Sequence, residues 1–310
     1  MRIGIISNSE AAIPLAYTLA AQKLQVYLFF SISKDPFVVQ KVRGFAKQYN
    51  VPLCEEKSTE DNLYQWINRT KFDACFVIGY SRLIRLSKIM SPSPAMFNIH
   101  FGPLPAFKGP VPVFWQLKYG VENIGLAIHQ LTEKFDDGPV VWTKEFPNRD
   151  FFNYEVVNQY LSNMSVEGVL FILNLLARNL PVLPLSVPLD RISSFQKRPQ
   201  ANDIIIKWDK MSAIEICNLV KACNPWNKGA ITFFMGKEVK LMDAIIIKNR
   251  QNTTEPFSAG TIVNNEDHLH IKCCDGDVLN VNMLFFQNCF IPAYLSKTFG
   301  LKKNERFVDI

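Results

Sequence analysis

Three apolar runs near the N-terminus, separated by stretches with helical signals, set the limits on the fold. Arg2 to Ser7, Gln25 to Ser31 and Phe72 to Gly79 are each short and apolar, as buried strands are. Between them, Asn8-Ser9-Glu10 caps a helix through about Gln22, and Asp35-Pro36 opens another to about Tyr49. Residues 59 to 69 also read as helical. Strands alternating with helices imply an α/β fold with a mostly parallel sheet. A dinucleotide fingerprint is missing, because Gly4 stands alone where G-x-G-x-x-G would be needed. The Rossmann-like outline therefore does not imply NAD.

The chemistry is concentrated between Phe97 and Gly138. Asn98 and His100 lie two apart at the end of the apolar run Ala95-Met96-Phe97, so a strand there projects both side chains from one face. Pro103 and Pro105 stop the strand and force a loop, which continues through Lys108-Gly109-Pro110. Asp136 follows in a turn-like Asp-Asp-Gly-Pro. An amide, an imidazole and a carboxylate suit acyl transfer to an amine. The amide can donate to a developing oxyanion, the imidazole manages protons near neutral pH, and the carboxylate orients and supports it. No activated nucleophile is evident, so direct attack by the substrate amine is the simplest route.

Asn98-x-His100, the Gly-Pro-Leu-Pro loop and Asp136-Asp137-Gly138 together resemble the folate-dependent formyltransferases. The resemblance implies that Asn98, His100 and Asp136 carry the reaction, with 10-formyltetrahydrofolate as co-substrate and no metal. Asp136, directly after the apolar Phe135, matches the family pattern in preference to Asp137. Phe101 and Pro103 depart from it, since Pro and Leu are usual there. Tyr80-Ser81-Arg82-Leu83-Ile84, beyond the strand ending at Gly79, matches the segment that holds the pteridine ring. The donor side is thus expected at Tyr80, Arg82, Leu83, Ile84, Phe135, Asp137 and Gly138. The acceptor side is expected at Ser7, Asn8, Phe101, Gly102, Pro103, Lys108 and Trp115. Lys108 reads equally as a solvated lysine, and Trp115 as a core residue. His129, on a strand Leu126 to Thr132, is expected to be structural.

The remaining chain extends this outline. Val113 to Tyr119 and Phe151 to Arg178 read as helices, the second with apolar residues at helical spacing, and Pro139 to Phe146 as a returning strand. Leu180 to Gln200 carries Pro181, Pro184, Pro188 and Pro199 and reads as a surface linker. A helix at Ser212 to Cys223 then precedes five short strands: Ala230 to Phe234, Val239 to Ile247, Ala259 to Val263, Leu269 to Cys273 and Val278 to Phe285. These imply a small β-barrel, and I-x-W, N-P-W and F-F-x-G-K resemble the OB-like domain that follows the catalytic domain in this family. The expected organisation is a catalytic domain at 1–180, a linker at 181–202 and an OB-like β-barrel domain at 203–310.

The acceptor is the least determined part. The formal charge of +6 is mild, and no dense basic stripe of the kind RNA binding calls for is present. The tRNA enzymes of the family insert a basic loop after the second strand, whereas here Ser31 to Pro36 runs straight into a helix. A small amine, as in an amino sugar nucleotide or an amino acid derivative, is therefore expected, with tRNA as the alternative partner. A catalytically inactive folate binder is the alternative of another class. Seven cysteines without a CxxC pair, and four histidines, form no zinc pattern and fit reduced thiols in the cytoplasm. The N-terminal apolar run is too short for a signal peptide, and Val166 to Ala177, which carries a Gly, an Asn and nearby charge, is not expected to span a membrane.

Overall fold

The computed structural model describes residues 1–31, 33, 35–57, 61–186, 193–247 and 258–309. Pro188, residues 59 and 60 of the expected third helix, and the middle of the expected linker lie outside them. The chain divides into two compact units. The first comprises Met1–Pro112, Asn123–Phe146 and Asn158–Gln196; the second comprises Val113–Glu122, Pro147–Val157 and Lys197–Ile310.

The first unit is built on a seven-stranded sheet. Its strands are β1 (Arg2–Ser7), β2 (Gln25–Phe30), β3 (Leu53–Glu55), β4 (Ala74–Ile78), β5 (Ala95–His100), β6 (Asn123–Gln130) and β7 (Val140–Pro147). The spatial order is β3-β2-β1-β4-β5-β6-β7. Strands β3 through β5 are parallel, and β6 runs antiparallel to β5. All five residues of β4 are buried, as a central strand covered on both faces requires. Helices α1 (Ile13–Ala21), α2 (Pro36–Gln48) and α3 (Asp61–Thr70) form the crossovers. Asp35 caps α2 by accepting from the Phe37 N–H, with Pro36 pre-set at the first helical position. Ile6, Phe29, Leu63, Ile67, Phe72, Cys75 and Val77 fill one core cluster.

The strand order reverses between β1 and β4, and such a switch point opens a crevice beyond the carboxyl ends of the strands. The register lines up the residues at that edge. Phe30 pairs with Ser7, Ser7 with Ile78, and Val77 with Asn98.

Helix α4 (Pro112–Lys118) opens the second unit's first segment, and α5 (Tyr154–Ala177) runs from the second unit into the first. By length and composition, α5 is long and apolar enough to cross a membrane, longer than the apolar stretch read from the sequence. Leu161, Val169 and Ile172 on it are fully buried, and a Cβ on Gly168 would lie 2.5 Å from the Trp142 ring of β7. The missing side chain at Gly168 is what lets the helix come this near Trp142.

The second unit holds α6 (Ala213–Cys223) and six strands: β8 (Ala230–Phe234), β9 (Lys237–Ile247), β10 (Ile262–Asn264), β11 (Leu269–Lys272), β12 (Val278–Phe286) and β13 (Cys289–Pro292). Ser212 and Glu215 form a capping box at the start of α6. The antiparallel order is β10-β11-β12-β9-β8, with β13 also on β12. The C-terminal segment bridges both edges, through Phe233 with Val308 and Thr261 with Arg306. That curls the sheet toward closure as an OB-like barrel does. Trp208 and Phe307 stack in its core, and the indole N–H of Trp208 donates to Thr232 Oγ1 at 2.8 Å.

Candidate active site

Strand β5 delivers Asn98 and His100 to the carboxyl edge of the sheet, and the turn between β6 and β7 returns Asp136 to meet them. The carboxylate is the centre of the cluster. Its Oδ1 lies 3.3 Å from Asn98 Nδ2 and 3.3 Å from His100 Nδ1. His129 Nε2 lies 3.8 Å from the same oxygen. Oδ2 accepts the Gly109 N–H at 2.9 Å. Asp136 sits in the left-handed region, at φ +51°, where short polar side chains are tolerated. Burial raises its affinity for a proton. The hydrogen bond and charge of His100, the adjoining His129 ring and the Gly109 N–H outweigh that and hold the carboxyl well below its usual range.

Both imidazoles have their hydrogen-bonding roles set by neighbours. His100 Nε2 faces the Phe107 carbonyl at 2.8 Å, so it donates, and Nδ1 is the nitrogen turned toward Asp136. His129 Nδ1 faces its neighbour's carbonyl, Gln130 O, at 2.9 Å, and its Nε2 accepts from Asn98 Nδ2 at 3.0 Å. The Asn98 amide nitrogen is thus oriented by two acceptors, His129 Nε2 and Asp136 Oδ1. His100 and His129 are buried.

The expected donor-side residues fall into two groups. Tyr80 O–H donates to Glu56 Oε1 at 2.6 Å, and Arg82 approaches the same oxygen at 3.4 Å. Ser31 Oγ donates to the other oxygen of Glu56 at 2.5 Å. Burial, then the hydrogen bond to Glu56, pushes the Tyr80 phenol above its ordinary value. Leu83 is exposed, whereas Ile84 is spent in the core cluster with Tyr64 and Ile67. In the β6–β7 turn, Phe135 is exposed and Gly138 lies against β6, where a Cβ would come within 1.7 Å of Gln130 O. Asp137 turns outward to Lys108 Nζ at 2.6 Å, which lowers its carboxyl's affinity for a proton.

The expected acceptor-side residues are less uniform. Lys108 is occupied by that ion pair. Ser7 is buried and exchanges hydrogen bonds with the Ser9 backbone, closing the turn after β1. Asn8 Oδ1 sits by Gly79 at the head of β4. Gly102 packs on the His100 ring, where a Cβ would meet Nε2 at 2.8 Å. Pro103 is buried against Gly125. Trp115 is buried in the second unit, its indole N–H donating to Lys197 O at 2.9 Å and its ring beside Phe114 and Tyr119. Phe101 is half-buried at the end of β5.

A family model described as formyl transferase matches residues 5–158, and one described as formyl transferase, C-terminal domain, matches residues 199–288. The chain belongs to the formyltransferase superfamily. Among its relatives, methionyl-tRNA formyltransferase of Fervidobacterium nodosum is 25% identical over 314 residues, covering 98% of this chain and 97% of that protein. The enzyme of the same name from Wigglesworthia glossinidia brevipalpis is 26% identical over 236 residues, covering 74% and 71%. Among solved structures, WlaRD, a sugar 3N-formyl transferase crystallised with dTDP and 5-N-formyl-THF, superposes with a TM-score of 0.68 at 16% identity, covering 91% of this chain and 97% of that one. HypX from Aquifex aeolicus, in complex with tetrahydrofolic acid, gives a TM-score of 0.64 at 18% identity, covering 97% of this chain and 47% of that chain. These structures share the fold, and the formyltransferase assignment rests on the two family models with the full-length relatives.

Two contacts in this formyltransferase, one at Asn98 and one at Tyr80, escape sequence reasoning. His129, expected to be structural, pairs directly opposite Asn98 in the β5–β6 ladder and holds its amide, a contact the spacing did not show. Assigning β6 as the antiparallel neighbour of β5 would have brought it there. Glu56 follows β3, a strand too short for periodicity to show.

Proposed function

We propose that this enzyme moves the formyl group of 10-formyltetrahydrofolate to a primary amine of a small molecule, an amino sugar nucleotide or an amino acid derivative. The observation that carries the reading is the convergence of Asn98, His100 and His129 on one oxygen of Asp136. Residues 1–180 form the catalytic module, 181–202 the connection and 203–310 an appended OB-like module.

In this mechanism the amine nitrogen attacks the formyl carbon, a C–N bond forms, and the carbonyl electrons move to oxygen. Asn98 Nδ2 and His100 Nδ1 share their hydrogens with that oxyanion, which develops beside the carboxylate they now face. Collapse breaks the bond to the folate nitrogen. The proton lost by the amine passes to that leaving nitrogen through a water that Asp136 helps to hold. Asp136, held ionised, keeps the His100 ring aimed. Tyr80 and Arg82, tied to Glu56, border the donor, with Leu83 and Phe135 as exposed apolar surface for its ring.

A small acceptor is supported by the short passage from β2 to α2, which leaves only residues 31–35 between them. The likeness to WlaRD along 91% of this chain supports a sugar-linked amine. A second reading, transfer to methionyl-tRNA, is favoured by the end-to-end likeness to the Fervidobacterium nodosum enzyme. A cytoplasmic setting fits seven cysteines that form no disulfide. The test is to assay formylation of amino sugar nucleotides, free amino acids and charged initiator tRNA side by side. Efficient formylation of the tRNA overturns the small-molecule reading, and folate binding with no turnover on any amine marks an inactive binder.

A further inference from the structure

The segment after α5 was expected to be a linker, and its last described stretch does something more specific. Phe195 forms a parallel bridge with Lys108, closed by Lys108 N–H to Ser194 O at 2.9 Å and Gln196 N–H to Lys108 O at 2.8 Å. Ser194 Oγ also accepts the Phe107 N–H at 3.0 Å, across 87 positions of sequence. The peptide groups on either side of Phe107 are thus tied at both ends. The Ser194 hydroxyl holds the amide, and the carbonyl receives His100 Nε2 at 2.8 Å.

The same loop reaches the other half of the cluster. Gly109, next but one to Phe107, gives its N–H to Asp136 Oδ2. It sits at φ +112° with Gln196 O so near that a Cβ would come within 2.1 Å, so the 194–196 strap leaves room there for glycine only. Phe107 itself is at φ +57°, an outlying conformation for a bulky residue, which persists only where its surroundings over-determine it. What over-determines it here is the Ser194 hydroxyl on one side and the His100 ring on the other.

We infer that Ser194 is a positioning residue: through the Phe107 peptide it fixes the His100 ring so that Nδ1, and not Nε2, is presented to the reacting carbonyl. The inference rests on the formyl-transfer reading of the same site. It also explains why a proline-rich segment far along the chain returns to this loop. Without the hydroxyl, the Phe107 amide loses its acceptor, the left-handed turn relaxes, and the carbonyl that anchors Nε2 drifts.

The experiment labels the ring nitrogens of the full chain and compares wild type with Ser194→Ala and Ser194→Thr by NMR. The chain has four histidines, so loss of one set of signals in His100→Gln identifies His100. In Ser194→Ala the His100 ring signals move and its Nε2 proton exchanges with water about tenfold faster, the loss of about one hydrogen bond. His268 and His270 keep their signals, and Ser194→Thr, which retains an Oγ, restores those of His100. Turnover with whichever amine serves as acceptor falls about 10- to 100-fold in the alanine variant, while tetrahydrofolate binds within about twofold of wild type, because the change lies outside the donor contacts. His100 signals identical to wild type in Ser194→Ala overturn the inference. If that variant does not accumulate folded, Ser194→Cys, similar in shape but a poor acceptor, carries the same expectation. Tetrahydrofolate failing to bind wild type would remove the functional reading while leaving the ring measurement to stand on its own.

Discussion

Asp136→Asn is the most searching perturbation of the cluster, because it keeps the shape and changes what the two oxygens can do. In the wild type Oδ1 faces Asn98 Nδ2 and His100 Nδ1, both at 3.3 Å, and Oδ2 faces the Gly109 N–H at 2.9 Å. All three partners are donors. An asparagine there must point its own NH2 at one side. If it keeps the Gly109 bond, it sets donor against donor at His100 and Asn98. If it flips, Gly109 is orphaned. Either way a buried donor goes unsatisfied, which costs about 1–3 kcal/mol of stability. The catalytic loss is larger, since the His100 ring also loses the carboxylate that orients its Nδ1. The same exchange in the serine-protease triad costs about 10,000-fold, and a loss of about 1,000- to 10,000-fold is expected here, equivalent to about 4–5.5 kcal/mol of barrier. The assay is initial-rate release of tetrahydrofolate in the presence of the active amine, with urea unfolding followed in parallel. Asp137→Asn is the control. That carboxylate is exposed and paired with Lys108 and Lys134, and turnover should stay within about threefold of wild type. The pH dependence has a definite sign. The Asp136 carboxyl is held below its ordinary range in the folded protein, so its stabilisation is present above the unfolded value of about 3.9 and fades as pH falls further, toward the folded one. The stability gap between wild type and Asp136→Asn therefore narrows as pH is lowered from about 5 toward 3. Turnover of Asp136→Asn within tenfold of wild type, or a worse defect in Asp137→Asn, would refute the reasoning.

Three further outcomes are expected. Asn98→Ala and His100→Ala each lower turnover by about 100- to 1,000-fold or more, with the fold retained, as measured by steady-state rates beside circular dichroism. Glu56→Gln loosens the Tyr80 hydroxyl and the Arg82 guanidinium together and raises KM for the folate donor about tenfold, read from donor titrations at saturating amine. Gly138→Ala drives a Cβ to 1.7 Å from Gln130 O and destabilises the chain by more than about 2 kcal/mol in urea unfolding, without removing any functional side chain.

What could be read from the sequence was whatever depends on neighbours in the chain. The central strands were legible because a buried parallel strand needs an unbroken apolar run, and FDACFVIG supplies one around the fully buried β4. Asp35-Pro36 and Ser212 marked their helix starts through capping chemistry that is itself local. Leu53–Glu55 and Cys289–Pro292 were passed over, because three or four residues carry no period to detect. Strand alternation placed Asn98 and His100 on one face and Asp-Asp-Gly-Pro announced a turn, whereas the choice of Asp136 over Asp137 and the roles of all three came from the resemblance to the formyltransferases. The parts left out all depend on pairings between distant segments. His129 reaches Asn98 only because β6 runs antiparallel to β5 in one particular register, and a slip of one residue would turn its ring to the other face. Ser194 reaches Phe107 across 87 positions from a segment whose prolines signalled a solvent-exposed connection. Proline does rule out a regular helix there. It does not forbid one bridge to another irregular strand, because Lys108 and Phe195 need only a few main-chain bonds between them. The groups proposed to act on substrate were thus visible as residue types at set spacings. The groups that aim them are backbone carbonyls, a glycine N–H and a remote hydroxyl, and their roles exist only once the chain has closed on itself.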